Sequence, residues 1–288
     1  MLSAVKNEYK TYNANKHNKM NITDNMPLLY NEDCYKILNN NIDDETIDLV
    51  ITSPPYNDLR QYGGIIDTWN ENKFKSIANE LYRVLKPGGV IVWVVNDKTE
   101  KGSKTLTSFK QAIYFNEIGF NVNDVMIWRK LNMMPVIKQP RYNPCFEYMI
   151  ILSKGKPKTF NPIMRPCKSA GLHYTSTVKN MGGENGRRKI DYHVNKETVD
   201  YNIWDIAVAK NKETIVIDGK EIRHPAVFPY EIPYRHILSW SNEGDTVLDP
   251  FMGSGTTGLA CKNTNRNFIG IELNTNYFEL AKYKLGLK

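Results

Sequence analysis

Short apolar runs that stop at turn-forming residues alternate along the chain with stretches whose apolar positions recur three and four residues apart. Thr46-Ile47-Asp48-Leu49-Val50-Ile51 reads as a buried strand ending at Thr52-Ser53-Pro54-Pro55-Tyr56-Asn57. From Phe74, the residues Ile77, Ala78, Leu81, Val84 and Leu85 share one helical face. Lys86-Pro87-Gly88-Gly89 closes that helix, and Val90 to Val95 is a β-rich run suited to a central parallel strand. A second helix is predicted over Ser108–Ile118, a strand over Val122–Trp128, and another apolar run over Phe146–Leu152. Ile215 to Ile222 reads as a hairpin with an Asp-Gly turn. Tyr230–Trp240 reads as a helix, and Thr246–Leu248 and Phe268–Ile271 as strands. Strands alternating with helices predict an α/β fold with a mostly parallel sheet.

The last two of these elements enclose a candidate ligand loop. Val247-Leu248 runs into Asp249-Pro250-Phe251-Met252-Gly253-Ser254-Gly255-Thr256-Thr257-Gly258, which puts G-x-G-x-x-G between a strand and a predicted helix. Glycines there permit a tight turn and close approach of a ligand to the backbone. Glu272 stands nineteen residues after Gly253, at the end of the next strand, where a carboxylate can accept bonds from both hydroxyls of a ribose. Only 16 residues follow it. The rest of the sheet must therefore come from earlier segments, which suits S-adenosylmethionine better than a dinucleotide.

Ser53-Pro54-Pro55-Tyr56 ends the first strand at the edge where open α/β sheets bind ligands. Two prolines stiffen the turn and aim the carbonyls of Ser53 and Pro54, while Tyr56 offers a flat ring. Carbonyl acceptors beside an aromatic plate can hold a planar base bearing an amino group.

Charge adds to this picture through its distribution. The chain carries +7 with 41% hydrophobic residues, ordinary for a globular protein. Ser153–Ile190 holds nine basic residues (Lys154, Lys156, Lys158, Arg165, Lys168, Lys179, Arg187, Arg188, Lys189) against one acid, Glu184. That segment lacks the apolar periodicity of a core helix or strand and is predicted to be a basic surface insertion suited to phosphate contact and groove readout. The first twenty residues, with four lysines and one glutamate, read as a mobile arm. Cys34, Cys145, Cys167 and Cys261 show no metal-ligand spacing, so they are expected to be buried free thiols and no metal is expected. No apolar stretch is long enough for a bilayer and no secretory signal is visible, so an intracellular setting with no membrane partner is expected.

The order of these motifs carries a resemblance. TSPPYN, then a basic insertion, then His224-Pro225-Ala226-Val227-Phe228-Pro229, then DPFMGSGTTG, then Gly270-Ile271-Glu272 resembles the β-class S-adenosylmethionine-dependent DNA amino-methyltransferases over roughly residues 28 to 283. Asn31-Glu32-Asp33-Cys34, Arg83 to Gly89, and Ile127 to Lys130 with Asn132 and Pro135 extend it. The resemblance implies a Rossmann-like methyltransferase fold with a doubly wound sheet and a circularly permuted motif order. It divides the chain into a flexible basic arm at 1–25, a catalytic half at 26–152, a target-recognition insertion at 153–212 and a cofactor-binding half at 213–288.

By position, the resemblance implies that Phe251, Gly253, Gly255 and Thr256 form the cofactor loop and Asp249 supports it. Glu272 would bind the ribose, Asp33 the adenine, and Phe228 would line the methionine end. The catalytic set is Ser53, Pro54, Pro55 and Tyr56, and the DNA-binding set Lys179, Arg187, Arg188 and Lys189. The substrate would be double-stranded DNA, methylated at a base flipped from the helix. Serine at the first position of the tetrapeptide is often found in N4-cytosine enzymes, whereas Asp or Asn is usual in N6-adenine enzymes; the adenine reaction stays open as the alternative. A restriction–modification setting beside a cognate endonuclease is implied, in a prokaryotic cytoplasm at the nucleoid. Neither Pro144-Cys145 nor Pro166-Cys167 has the context of a carbon-5 nucleophile. A methyltransferase of RNA or protein and a non-catalytic nucleic-acid-binding module are the competing classes, and the oligomeric state stays open.

Overall fold

The computed structural model describes residues 27–55, 69–133, 140–179, 187–209, 214–217, 219–223 and 229–287. The proposed arm, Tyr56, Pro135, His224 and Phe228 lie outside the described residues. The chain divides into two compact units, Met1–Asn161 with Asn202–Lys288, and Pro162–Tyr201.

In the larger unit, β1 (Leu28–Tyr30), α1 (Cys34–Asn41), β2 (Ile47–Thr52), α2 (Glu71–Val84) and β3 (Leu85–Val95) come first. A two-residue hairpin follows, β4 (Thr99–Glu100) with β5 (Ser103–Lys104), then α3 (Thr107–Glu117), β6 (Asn121–Lys130) and β7 (Phe146–Ser153). The smaller unit holds β8 (Met164–Pro166), β9 (His173–Lys179), β10 (Arg187–His193) and β11 (Glu197–Val199). The larger unit resumes with β12 (Ile203–Ile206), the hairpin β13 (Thr214–Ile217) and β14 (Lys220–Arg223), and α4 (Glu231–Trp240). It ends with β15 (Thr246–Asp249), α5 (Thr256–Asn263), β16 (Asn267–Ile271) and α6 (Thr275–Leu285).

Eight strands make one sheet in the order β1-β16-β15-β2-β3-β7-β6-β12. Every neighbouring pair is parallel except the two made by β7, which runs antiparallel to β3 and to β6. The mostly parallel sheet read from the alternation is therefore present, and β15 and β16, last in sequence, sit beside β1 and β2. That placement is the permuted order in three dimensions.

Why these segments form these elements follows from burial. All six residues of β2 and Val90–Val95 of β3 are buried, as strands covered on both faces must be. Phe74, Ile77, Ala78, Leu81 and Val84 are the buried stripe of α2, and the Asn70 side chain caps that helix by accepting from the Lys73 amide at 3.0 Å. They pack with Ile37, Leu38, Trp93 and Phe115 on one face of the sheet. Helices α4, α5 and α6 cover the other. The buried indole of Trp93 donates to Gln111 at 2.9 Å, so its polar atom is satisfied.

Three readings change. The basic segment is not without regular structure: β9 and β10 form an antiparallel ribbon, and β8 pairs with β11. Its strands show no strong apolar alternation, because the described side chains of one face are exposed and those of the other are half-buried or, at Tyr174 and Tyr192, exposed. The boundaries also differ, since Ser153–Asn161 and Asn202 onward belong to the larger unit. The cysteines split as well. Cys34 and Cys261 are buried, but Cys145 is exposed and Cys167 half-buried, both on stretches outside the core; all four are free thiols.

Candidate active site

Strands β2 and β15 run parallel in register, Val247 beside Leu49 and Leu248 beside Val50, so they end at one edge of the sheet. There the Thr52 hydroxyl donates to Asp249 Oδ1 at 2.7 Å. Asp249 also accepts from the Phe251 amide at 3.1 Å and, through Oδ2, from the Thr257 hydroxyl at 2.7 Å. One buried carboxylate thus ties the strand that carries Ser53 and Pro54 to the glycine loop and to the start of α5. Burial pushes Asp249 up to about 6, against the lowering effect of these three donors. The serine-proline corner and the loop open on the same edge. Pro54 is buried, and Ser53 and Pro55 are half-buried.

The loop's glycines are required by shape. Gly255 has φ +77°, and a Cβ there would stand 2.9 Å from the Ala281 Cβ of α6. At Gly258 a Cβ would meet the Phe268 ring at 2.6 Å, so α5 can lie this close to β16 only without a side chain. The Gly253 amide donates to Glu272 Oε2 at 2.9 Å and the Asn274 amide to Oε1 at 2.8 Å. Desolvation nevertheless raises the Glu272 carboxyl to about 7. A desolvated carboxylate at a strand end, beside a glycine turn and a helix N-terminus, suits a neutral ligand portion that brings its own hydroxyl donors. These residues fit the nucleoside of S-adenosylmethionine.

The other expected cofactor residues occupy the same region with partners of their own. Asp33 follows β1, which is paired to β16 through Tyr30 and Ile271, so it shares the edge with Glu272. Its carboxylate caps α1 by accepting from the Lys36 amide at 3.2 Å and pairs with the Lys73 ammonium at 2.7 Å. Phe251 lies edge-on to Trp69 at 5.2 Å between ring centroids. Thr256 is buried, and its hydroxyl accepts from Lys284 at 3.2 Å, as does that of Ser254.

Strand β6 is parallel to β3, since both oppose β7, so its end reaches this edge too. There Lys130 forms an ion pair of 2.5 Å with Glu147, both nearly buried, and its ammonium lies 4.9 Å from the Trp128 ring. Arg129 pairs with Asp205 on β12, its Nε 2.6 Å from Oδ1, and Asn132 accepts from the Val208 amide at 2.8 Å. The Ile127–Lys130 segment is thus held rigidly from two neighbouring strands.

Sequence reasoning missed Trp69, Lys73, Thr257 and Lys284. Thr257 lay inside a quoted motif, and a hydroxyl in the first turn of the helix that follows a strand-end Asp was a usable signal; the other three arrive by tertiary packing and had none. The four basic residues expected to bind DNA fall at one end of the β9–β10 ribbon, where Lys179 pairs with Arg187, Val178 with Arg188 and Thr177 with Lys189. Arg187 and Lys189 are exposed. Among the described residues, no His, Cys, Asp or Glu cluster could hold a metal ion, and no helix is long and apolar enough to cross a membrane.

Comparison with known proteins identifies the family. A family model described as DNA methylase matches residues 47–283. The orphan methyltransferase M.BamHII of Bacillus amyloliquefaciens is 47% identical over 85% of this chain and 91% of its own length. The type II methyltransferase M.HpaI of Haemophilus parainfluenzae is 32% identical over 85% of this chain and 70% of its own. Among solved structures, the M1.HpyAVI–SAM complex superposes with a TM-score of 0.56 at 26% identity, covering 90% of this chain and all of that one. The chain belongs to the DNA methylase family, the S-adenosylmethionine-dependent amino-methyltransferases of N4-cytosine and N6-adenine.

Proposed function

We propose that the chain methylates N4 of cytosine within a specific sequence of double-stranded DNA, with the target base flipped out of the helix. The observation that carries this reading is Ser53 at the end of β2, one residue past the Thr52–Asp249 bond that anchors the glycine loop. S-adenosylmethionine supplies, when bound, an electrophilic methyl group.

The difficulty for the protein is that an aromatic amine is a weak nucleophile, because its lone pair is delocalised into the ring. Ser53 Oγ and the Pro54 carbonyl accept hydrogen bonds from the amino group, which favours a pyramidal nitrogen and directs its lone pair. Pro55 stiffens the turn that aims those acceptors. A serine carries no formal charge, so orientation contributes more than base strength, and the released proton passes to water. Glu272 holds the ribose, Asp33 with Lys73 stands at the adenine, and Phe251 with the Gly253–Gly255 turn forms the wall between them. Tyr56 and Phe228 keep the roles their chemistry suggests, stacking on the base and lining the methionine end. The type II name of M.HpaI favours a restriction–modification pair and the orphan name of the more similar M.BamHII favours a methyltransferase acting alone; protection of the methylated DNA from a cognate endonuclease distinguishes the two.

Incubation with labelled cofactor and unmethylated genomic DNA, followed by mass spectrometry of the nucleosides, tests this directly. N4-methylcytosine is expected; N6-methyladenine would overturn the assignment of the base. Ser53→Ala is expected to lower kcat by about 10²–10³-fold, as loss of a transition-state hydrogen-bonding group does, with little change in cofactor affinity. Unchanged kcat would remove Ser53 from the mechanism.

A further inference from the structure

The β9–β10 ribbon has two unlike faces. Residues directly opposite one another share a face, so His173, Thr175 and Thr177 lie with Arg187, Lys189, Asp191 and His193. All seven are exposed. On the other face Ser176, Val178 and Ile190 are half-buried, and Tyr174 stacks on Tyr192 at 5.8 Å, both rings exposed. A strand pairing that exposes seven hydrogen-bonding or charged side chains on one face is poorly explained by folding alone.

Size and spacing say what such a face can meet. A two-stranded ribbon fits the major groove of B-DNA, about 12 Å wide. Seven residues per strand extend it for roughly 20 Å. Lys189 and Asp191, alternate residues of β10, are about 6.7 Å apart along it, close to two base-pair steps of about 3.4 Å. The Thr175 hydroxyl donates to Asp191 at 2.5 Å, which holds the carboxylate on the exposed face. A carboxylate reads the amino group of cytosine and an ammonium the O6/N7 edge of guanine.

We propose that this ribbon reads DNA sequence from the major groove, with Asp191 and Lys189 as specificity-determining residues for a cytosine and a guanine two base pairs apart. Arg187 and the neighbouring basic positions contact phosphate. The inference rests on the DNA-methylating function proposed above and names the element that selects its site.

Exchange for an amide side chain tests it, because Asn and Gln prefer adenine where Asp and Lys prefer cytosine and guanine. Wild type, Asp191→Asn and Lys189→Gln would each be incubated with cofactor and unmethylated genomic DNA, and the modified positions mapped by sequencing. Each variant is expected to lose about tenfold discrimination at one position of the wild-type motif and shift there towards adenine. Cofactor affinity, read by calorimetry, is expected to stay at the wild-type value. Two variants that modify the wild-type set of sites with unchanged discrimination would overturn the ribbon's role while leaving the methyltransferase reading intact. A wild-type chain that binds cofactor and labels no duplex would overturn that reading, and the ribbon's role with it.

Discussion

The edge formed by β2, β15 and β16 and the ribbon formed by β9 and β10 are built on opposite principles. At the edge, Asp249 takes three donors and Glu272 two; the two hydroxyl bonds to Asp249 are buried, the three amide bonds are half-buried, and Thr52 reaches Asp249 from far away in sequence. On the ribbon's polar face the bond between Thr175 and Asp191 is exposed, and the side chains around it face solvent. Buried hydrogen bonds to charged groups stabilise by about 1.5–3 kcal/mol each, whereas exposed polar contacts contribute a fraction of that. The edge is fixed before any ligand arrives, as positioning a weak nucleophile requires. The ribbon's reading side chains can change without disturbing the core, so selectivity and stability are carried by different residues.

The largest effect is expected where the edge is tied together. Asp249→Ala leaves two hydroxyls and an amide without their acceptor and is expected to destabilise by about 3 kcal/mol in urea unfolding. Asp249→Asn keeps an acceptor and should cost about 1 kcal/mol. The sign of its pH dependence is also set. A carboxyl raised from its ordinary 3.8 to about 6 is more easily protonated in the fold, so its charge weakens the fold increasingly as pH rises through that window. Asp249→Asn should flatten this part of the stability profile. An alanine variant of wild-type stability would show that the edge is no better bonded than the ribbon.

Glu272 supplies the next effect. With its carboxyl raised to about 7, it is mostly protonated at pH 6 and mostly ionised at pH 8. The ionised form is the better acceptor for ribose hydroxyls, so cofactor affinity measured by calorimetry should be about tenfold weaker at pH 6 than at pH 8. Glu272→Gln should bind weakly at both. A wild-type affinity that does not change across this range would mean that the carboxylate does not hold the ribose.

How much of each region could be read from the chain follows from the same contrast. The edge was legible because its chemistry is local: Gly253, Gly255 and Gly258 sit in one turn, Glu272 ends the next strand, and Ser53-Pro54-Pro55 ends a fully buried one. Burial on both faces gave β3 its unbroken apolar run over Val90–Val95 and β2 its apolar Leu49–Ile51 core. What stayed hidden came from tertiary approach. Nothing around Trp69 points to Phe251, nothing around Lys73 to Asp33, and Lys284 reaches Ser254 and Thr256 only because α6 packs on the loop. The ribbon's strands were not legible, since His, Thr, Arg, Lys and Asp on one face and Ser, Val, Ile and two exposed tyrosines on the other make no clear apolar alternation. Its charge was legible and its pairing was not.

The smallest expected effect is the one that separates the two regions most sharply. Thr175→Val removes the hydroxyl that holds Asp191 and keeps a β-branched residue suited to a strand. Because both residues are exposed, stability should change by less than about 0.5 kcal/mol. The carboxylate, no longer held by its neighbour, should then discriminate less well at the base it reads, so the map of modified sites should broaden at one position while the urea midpoint stays in place. A midpoint shift as large as that of Asp249→Asn would make the ribbon part of the stabilising framework, and its exposed face could no longer be treated as free to vary.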